Sequence, residues 1–194
     1  MIIYTIIVST NSVYSLASLF LPTVFKEKSI PGFWVGLVFS MYSIAVVVVS
    51  PFVGTLLNKV GFANLIAIGL VLMGIAIVPI GFLMKIEDDV ATLVLGILLR
   101  GLQGAASALI NTSCYATAAN KYPERTEFIV GMLEGMSGIG VIIGLFGGAA
   151  IYEGMGYQAV FIVFGGLLPV MAFISRVLFR CTEQGRADDE YQGA

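Results

Sequence analysis

Two charged side chains stand inside stretches that are otherwise apolar. Arg100 lies about ten residues into the run from Val90 to Ala119, and Glu134 about six residues into the run from Phe128 to Tyr152. A guanidinium in the middle of a hydrocarbon layer costs about 2.5–3.5 kcal/mol on insertion scales, so such a residue faces a partner or a cavity and marks pathways or proton relays. A lone carboxyl inside a span can take up and release a proton. Gln103, one turn beyond Arg100 on the same face, can share hydrogen bonds with it. Arg100, Gln103 and Glu134 therefore form a candidate proton-coupling set. The competing reading is structural: an arginine bonded to backbone carbonyls, and a glutamate hydrogen-bonded between helices. Counted from the segment ends, the two charges differ by roughly 5–10 Å in depth, which leaves an ion pair open.

A third polar feature lies near the N-terminus. Thr5, Ser9, Asn11, Ser12, Tyr14, Ser15 and Ser18 make one segment unusually hydroxyl-rich. Asn11, Ser15 and Ser18 follow i, i+4, i+7 and so share a helical stripe. Lipid rejects such a stripe, which is expected to line a substrate route or to bond to a neighbouring helix. Asn111-Thr112-Ser113 matches a glycosylation sequon, but inside an apolar run it is expected to be inert.

The elements that must position these residues follow from composition. Of 194 residues, 58% are hydrophobic and 11% charged, against roughly 25% charged in soluble domains. The mean hydropathy of +0.98 points the same way. In lipid every backbone N–H and C=O needs an internal partner, so only helices or a closed barrel can span. The apolar runs reach about 20 residues without period-2 alternation, which selects helices. An all-α membrane protein is expected, with the lipid bilayer as its solvent. No histidine is present, and Cys114 and Cys181 have no metal-type spacing. No nucleophile–base set appears, so no enzyme activity and no metal or cofactor is expected. A net charge of −2 gives no footprint for nucleic acid.

Six apolar segments emerge, near 2–25, 33–57, 62–84, 90–119, 128–152 and 157–179. The first lacks a charged leader and reads as a span, not a signal peptide. Residues 1–179 are expected to form one six-helix transmembrane bundle, and the polar tail 180–194 to be disordered. Six spans put both ends on one side. Lys59, Lys121, Arg125, Arg176, Arg180 and Arg186 collect there, against Lys26, Lys28 and Lys85 opposite. The positive-inside rule then places both ends on the cytoplasmic side or its topological equivalent.

The fifth segment is glycine-rich. Gly131–Gly135, Gly140–Gly144 and Gly144–Gly148 are GxxxG pairs, which let another helix approach closely. The run Gly138-Ile139-Gly140 with Gly144 echoes a dinucleotide loop, but no strand precedes it, and helix packing is the reading taken.

Three stretches together resemble a known family. Gly54-Thr55-Leu56-Leu57-Asn58-Lys59-Val60-Gly61 resembles the gating loop called motif A of the major facilitator superfamily. Arg100-Gly101-Leu102-Gln103-Gly104 resembles its motif B, and Gly138 through Gly148 its antiporter motif C. The stretch from Gly131 to Gly148, followed by Tyr157 to Gly165, is similar to the vesicular amine and polyamine carriers. The resemblance implies half of a major facilitator fold and proton-coupled antiport of a small organic cation or polyamine. Arg100, Gln103 and Glu134 would couple protons, Asn11, Ser15 and Ser18 line the route, and Gly54, Asn58, Lys59 and Gly61 gate it.

The chain also departs from the pattern. Asn58 stands where motif A has an acid, Phe62 and Ala63 where it has bases, and Leu145 where motif C has a proline. The monoamine carriers use an acid in the first helix, where this chain offers Asn11. These departures favour an alternative, a transport-silent structural subunit within a larger membrane complex. Carriers of this type rock two six-helix halves about a central site. The Gly140, Gly144, Gly148 ridge and the polar stripe are therefore expected to meet another polypeptide against helices one and five: a second half, a second copy or another membrane subunit.

Overall fold

The computed structural model describes the backbone of residues 2–192 and the side chains of residues 2–179. Each apolar run has become one long helix: α1 (Ile2–Glu27), α2 (Gly32–Val60), α3 (Phe62–Ile80), α4 (Asp89–Lys121), α5 (Thr126–Met155) and α6 (Tyr157–Gln192). Among the described residues, six helical segments are long and apolar enough to cross a membrane. The tail expected to be disordered lies outside the residues whose side chains are described, and the backbone of α6 continues to Gln192.

The third helix ends earlier than hydropathy suggests. Pro79 and Gly81 stand at its end, and the remaining apolar residues turn through a short 3-10 segment, Leu83–Lys85. Asp88 then caps α4, its carboxylate accepting from Val90 N at 3.0 Å, while Lys121 lies in the last turn. Both charges suit the helix dipole. Lys28 joins the α1–α2 link to the α3–α4 link through the Ile86 carbonyl and a 3.6 Å contact with Asp89.

The supposed gating loop is barely a loop. Gly54, Asn58 and Lys59 sit on the last turns of α2, and Gly61 alone joins α2 to α3. Its φ of +81° is one that side chains with a Cβ rarely adopt, which is why a single residue suffices to reverse the chain there. The polar run reads as a loop by composition, but helical hydrogen bonding persists as far as Gly61 N, which donates to Leu57 O at 3.0 Å.

The helices pack in pairs: α2 on α4, α1 on α5, and α3 against both α4 and α6. Exchanging α1–α3 with α4–α6 maps the α1–α5 pair onto α4–α2 and α3–α6 onto itself, while the close α3–α4 pair has only a weakly packed counterpart in α6–α1. Leu16, Leu21, Phe25, Leu70, Met73, Ile77 and Phe161 fill the centre. α2 buries only Val38 and Val53 and turns Phe33, Val47 and Phe52 outward, as a helix against lipid or a further bundle does.

One expectation is corrected here. The ridge of Gly140, Gly144 and Gly148 meets α1 of this same chain, not a separate polypeptide. A Cβ on Gly140 would stand 3.0 Å from Val8 Cα, one on Gly144 2.8 Å from Ser12 Cα, and one on Gly148 would overlap Leu16. Ser12 Oγ donates across this contact to the Gly140 carbonyl at 2.8 Å. The ridge and part of the polar stripe therefore cover each other.

Candidate functional site

Arg100 sits on α4 about 16 Å from the helix start, with its side chain fully enclosed. One terminal nitrogen donates to Gln103 Oε1 at 2.9 Å, and the other to Ser18 Oγ of α1 at 3.3 Å. Three rings complete the enclosure. Phe39 of α2 lies 4.5 Å from the guanidinium carbon, Tyr42 5.6 Å and Tyr14 of α1 5.7 Å. Cation–π attraction of this kind contributes about 2 kcal/mol or more once desolvated. Close helix contact makes the cage. A Cβ on Gly104 would stand 3.0 Å from Ala45 Cβ, so only glycine there lets α4 approach the part of α2 that bears Tyr42. Among the described residues, Arg100 Nε and Gln103 Nε2 have no hydrogen-bond partner, and none of the contacts to Arg100 comes from a carboxylate.

Glu134 belongs to a different cluster. It lies on α5, exposed on the surface of the six-helix unit, and accepts from Tyr115 Oη of α4 at 2.6 Å. α4 runs past both charges, and counting its residues and those of α5 from their shared link sets Arg100 and Glu134 about 20 Å apart in depth. The smaller separation expected from segment ends is thus corrected. α4 has 33 residues, about 50 Å of helix, and the two depths were counted from opposite ends of a layer that it exceeds.

The α1 stripe divides. Ser18 Oγ donates to Tyr14 O at 3.1 Å and accepts from Arg100, so it belongs to the cage. Asn11 is half-buried, its amide donating to Ile7 O at 2.9 Å. Ser15 is buried beside Gly144 and donates to Ser12 O at 2.8 Å, which places it in the α1–α5 contact. Asn111, the sequon residue, donates to Ser107 Oγ at 3.0 Å from within α4.

Sequence reasoning missed the rings. Tyr14 lies one turn before Ser18, and Phe39 and Tyr42 are three residues apart on α2. Aromatic spacing of this sort is common in apolar helices and gives no sign that a cation lies between them.

These features define a polytopic membrane bundle with a desolvated cation at its centre. The chain belongs to the Major Facilitator Superfamily, whose family model matches residues 2–193. Its six helices form half of that fold. It is 25% identical over 158 residues to the MFS-type transporter SLC18B1 of Homo sapiens, covering 81% of this chain and 35% of that protein. It is 26% identical over 134 residues to the synaptic vesicular amine transporter of Homo sapiens, covering 69% and 25%. With the probable vesicular acetylcholine transporter-A of Danio rerio it shares 33% identity over 93 residues, covering 48% and 17%. The chain spans about a third or less of the length of these relatives. The members of that family are transporters.

Proposed function

We propose that this six-helix unit works as one half of a proton-coupled antiporter for a small organic cation or polyamine. Arg100, Gln103 and Glu134 handle the proton, and Asn11 and Ser18 border the substrate route. The amine named in one relative supports the substrate class. The observation that carries the reading is the way Arg100 is held. A carboxylate partner would fix a buried guanidinium in place. Rings, a hydroxyl and an amide hold it through neutral groups, which leaves the cation free to move when charge appears nearby.

Glu134→Gln is the test. pH-driven uptake of a labelled organic cation into vesicles should fall to background, while the variant elutes from detergent as the wild type does. Uptake at the wild-type rate in the variant would overturn the reading. The alternative, a transport-silent subunit, draws support from α2, where Asn58 and Lys59 stand exposed without the acid that motif A carries. On that reading the wild type shows no uptake to lose.

Both ends of the unit are assigned to the cytoplasmic side on the distribution of Lys and Arg. Cysteines introduced at Lys28 and Tyr122 should then react with an impermeant reagent from opposite faces of the membrane. Reaction from one face would sink the orientation.

A further inference from the structure

α4 carries a polar file of which the proton-handling residues explain only the ends. Arg100, Gln103, Ser107, Asn111 and Tyr115 recur at steps of three and four, which keeps them on one face. The file runs about 22 Å, at 1.5 Å per residue, from the Arg100 cage toward the α4–α5 link. Tyr42 Oη donates to Ser107 Oγ at 2.8 Å, and Asn111 Nδ2 donates to the same oxygen at 3.0 Å. One turn further, Tyr115 holds Glu134. Burial is graded along the file. Gln103 and Ser107 are enclosed, Asn111 and Tyr115 half-buried, and Glu134 exposed. Hydrogen-bonding groups opening outward in this way suit water, because lipid has no donors or acceptors to meet them.

The inner end is closed. The Tyr14 and Tyr42 rings lie 4.7 Å apart, centroid to centroid, and both cover Arg100. Behind them, Arg100 Nε and Gln103 Nε2 have no hydrogen-bond partner among the described residues. An enclosed compartment therefore adjoins the polar file, and Tyr42 touches both, by its ring on one side and its hydroxyl on the other.

We propose that Ser107, Asn111 and Tyr115 line a blind, water-filled path leading inward from Glu134, and that Tyr42 is the door between this path and Arg100. Its role in coupling rests on the proposed function; the path and the door do not. Opening the door would need only the Tyr42–Ser107 bond to break and the ring to turn, which brings water to the guanidinium.

The test uses the full natural chain in membrane vesicles, with both native cysteines replaced by serine, and an impermeant methanethiosulfonate reagent. Asn111→Cys and Tyr115→Cys should react about tenfold faster than Gln103→Cys, a rate ratio worth about 1.4 kcal/mol of barrier. Adding Tyr42→Ala should bring position 103 up to the rate of position 111. Equal protection of 111, 115 and 103 would show that no wet path exists. Reaction at 103 as fast as at 111 with Tyr42 intact would show that Tyr42 is no door, as would continued protection of 103 in the Tyr42→Ala variant. If Tyr42→Ala does not reach the membrane, Tyr42→Val, which also removes the ring that covers Arg100, serves for the same comparison. Labelling requires no transport, so these results stand apart from the effect of Glu134→Gln on uptake.

Discussion

Gly144→Leu is expected to prevent assembly of the six-helix unit. At this position α5 approaches α1 so closely that a Cβ would overlap Ser15 Oγ and the Ser12 carbonyl, and would stand 2.8 Å from Ser12 Cα. Backbone atoms cannot rotate aside, so the two helices must separate. Separation also removes the bond from Ser12 Oγ to the Gly140 carbonyl. The loss should exceed about 4 kcal/mol, in the range reserved for core overpacking combined with broken buried bonds. Thermal unfolding and protease resistance in mild detergent measure it, and a near-native melting profile would contradict the packing. Two substitutions on the same helix calibrate the result. Gly148→Ala meets the flexible end of Leu16 and the edge of the Phe20 ring, side chains and no backbone, and should cost less, while Gly131→Leu meets open space and should be tolerated.

Arg100→Met should have the largest effect on transport with little effect on the fold. The flexible thioether fills the volume of the arginine stem and packs well among Tyr14, Phe39 and Tyr42. Removing the desolvated charge relieves a penalty of several kcal/mol per buried ion. Against this, Gln103 Oε1 loses its donor at a cost of about 1–3 kcal/mol. Loss of the cation–π attraction to the three rings adds about 2 kcal/mol to that cost, and the opposing effects leave stability within about 2 kcal/mol of the wild type. Coupled uptake should fall to background. Unfolding of the variant would show that Arg100 is a structural post; unchanged uptake would remove it from the proton-handling set.

These expectations separate what was legible in the chain from what was not. Arg100 was legible as an interior residue, because a guanidinium facing lipid is too costly for any other placement. Gln103 was legible as its partner, since three residues along a helix fix proximity. The polar file on α4 was legible in principle as well: Ser107, Asn111 and Tyr115 continue the same steps, and counting polar residues at helical spacing would have found them. The cage of rings was not legible, because Tyr14, Phe39 and Tyr42 come from α1 and α2 and converge only when those helices pack around α4.

The sequence by itself determined the solvent, the helical class and the number of spans. Hydropathy and run length are local properties, and lipid permits only one kind of backbone to satisfy them. It also determined that α5 would be a close-packing helix, since glycines four apart leave a groove wherever they occur. Only the tertiary structure decided what fills that groove. α1 of the same chain occupies it, where the glycines alone pointed to another polypeptide. The tertiary structure likewise drew Ser15 into the α1–α5 contact, sent Glu134 to Tyr115 on an exposed face, and set it about 20 Å in depth from Arg100. Helical periodicity fixes the direction of each side chain around its own axis. It does not say which neighbour stands in that direction; that is settled when complementary faces pair, as α1 pairs with α5 and α2 with α4.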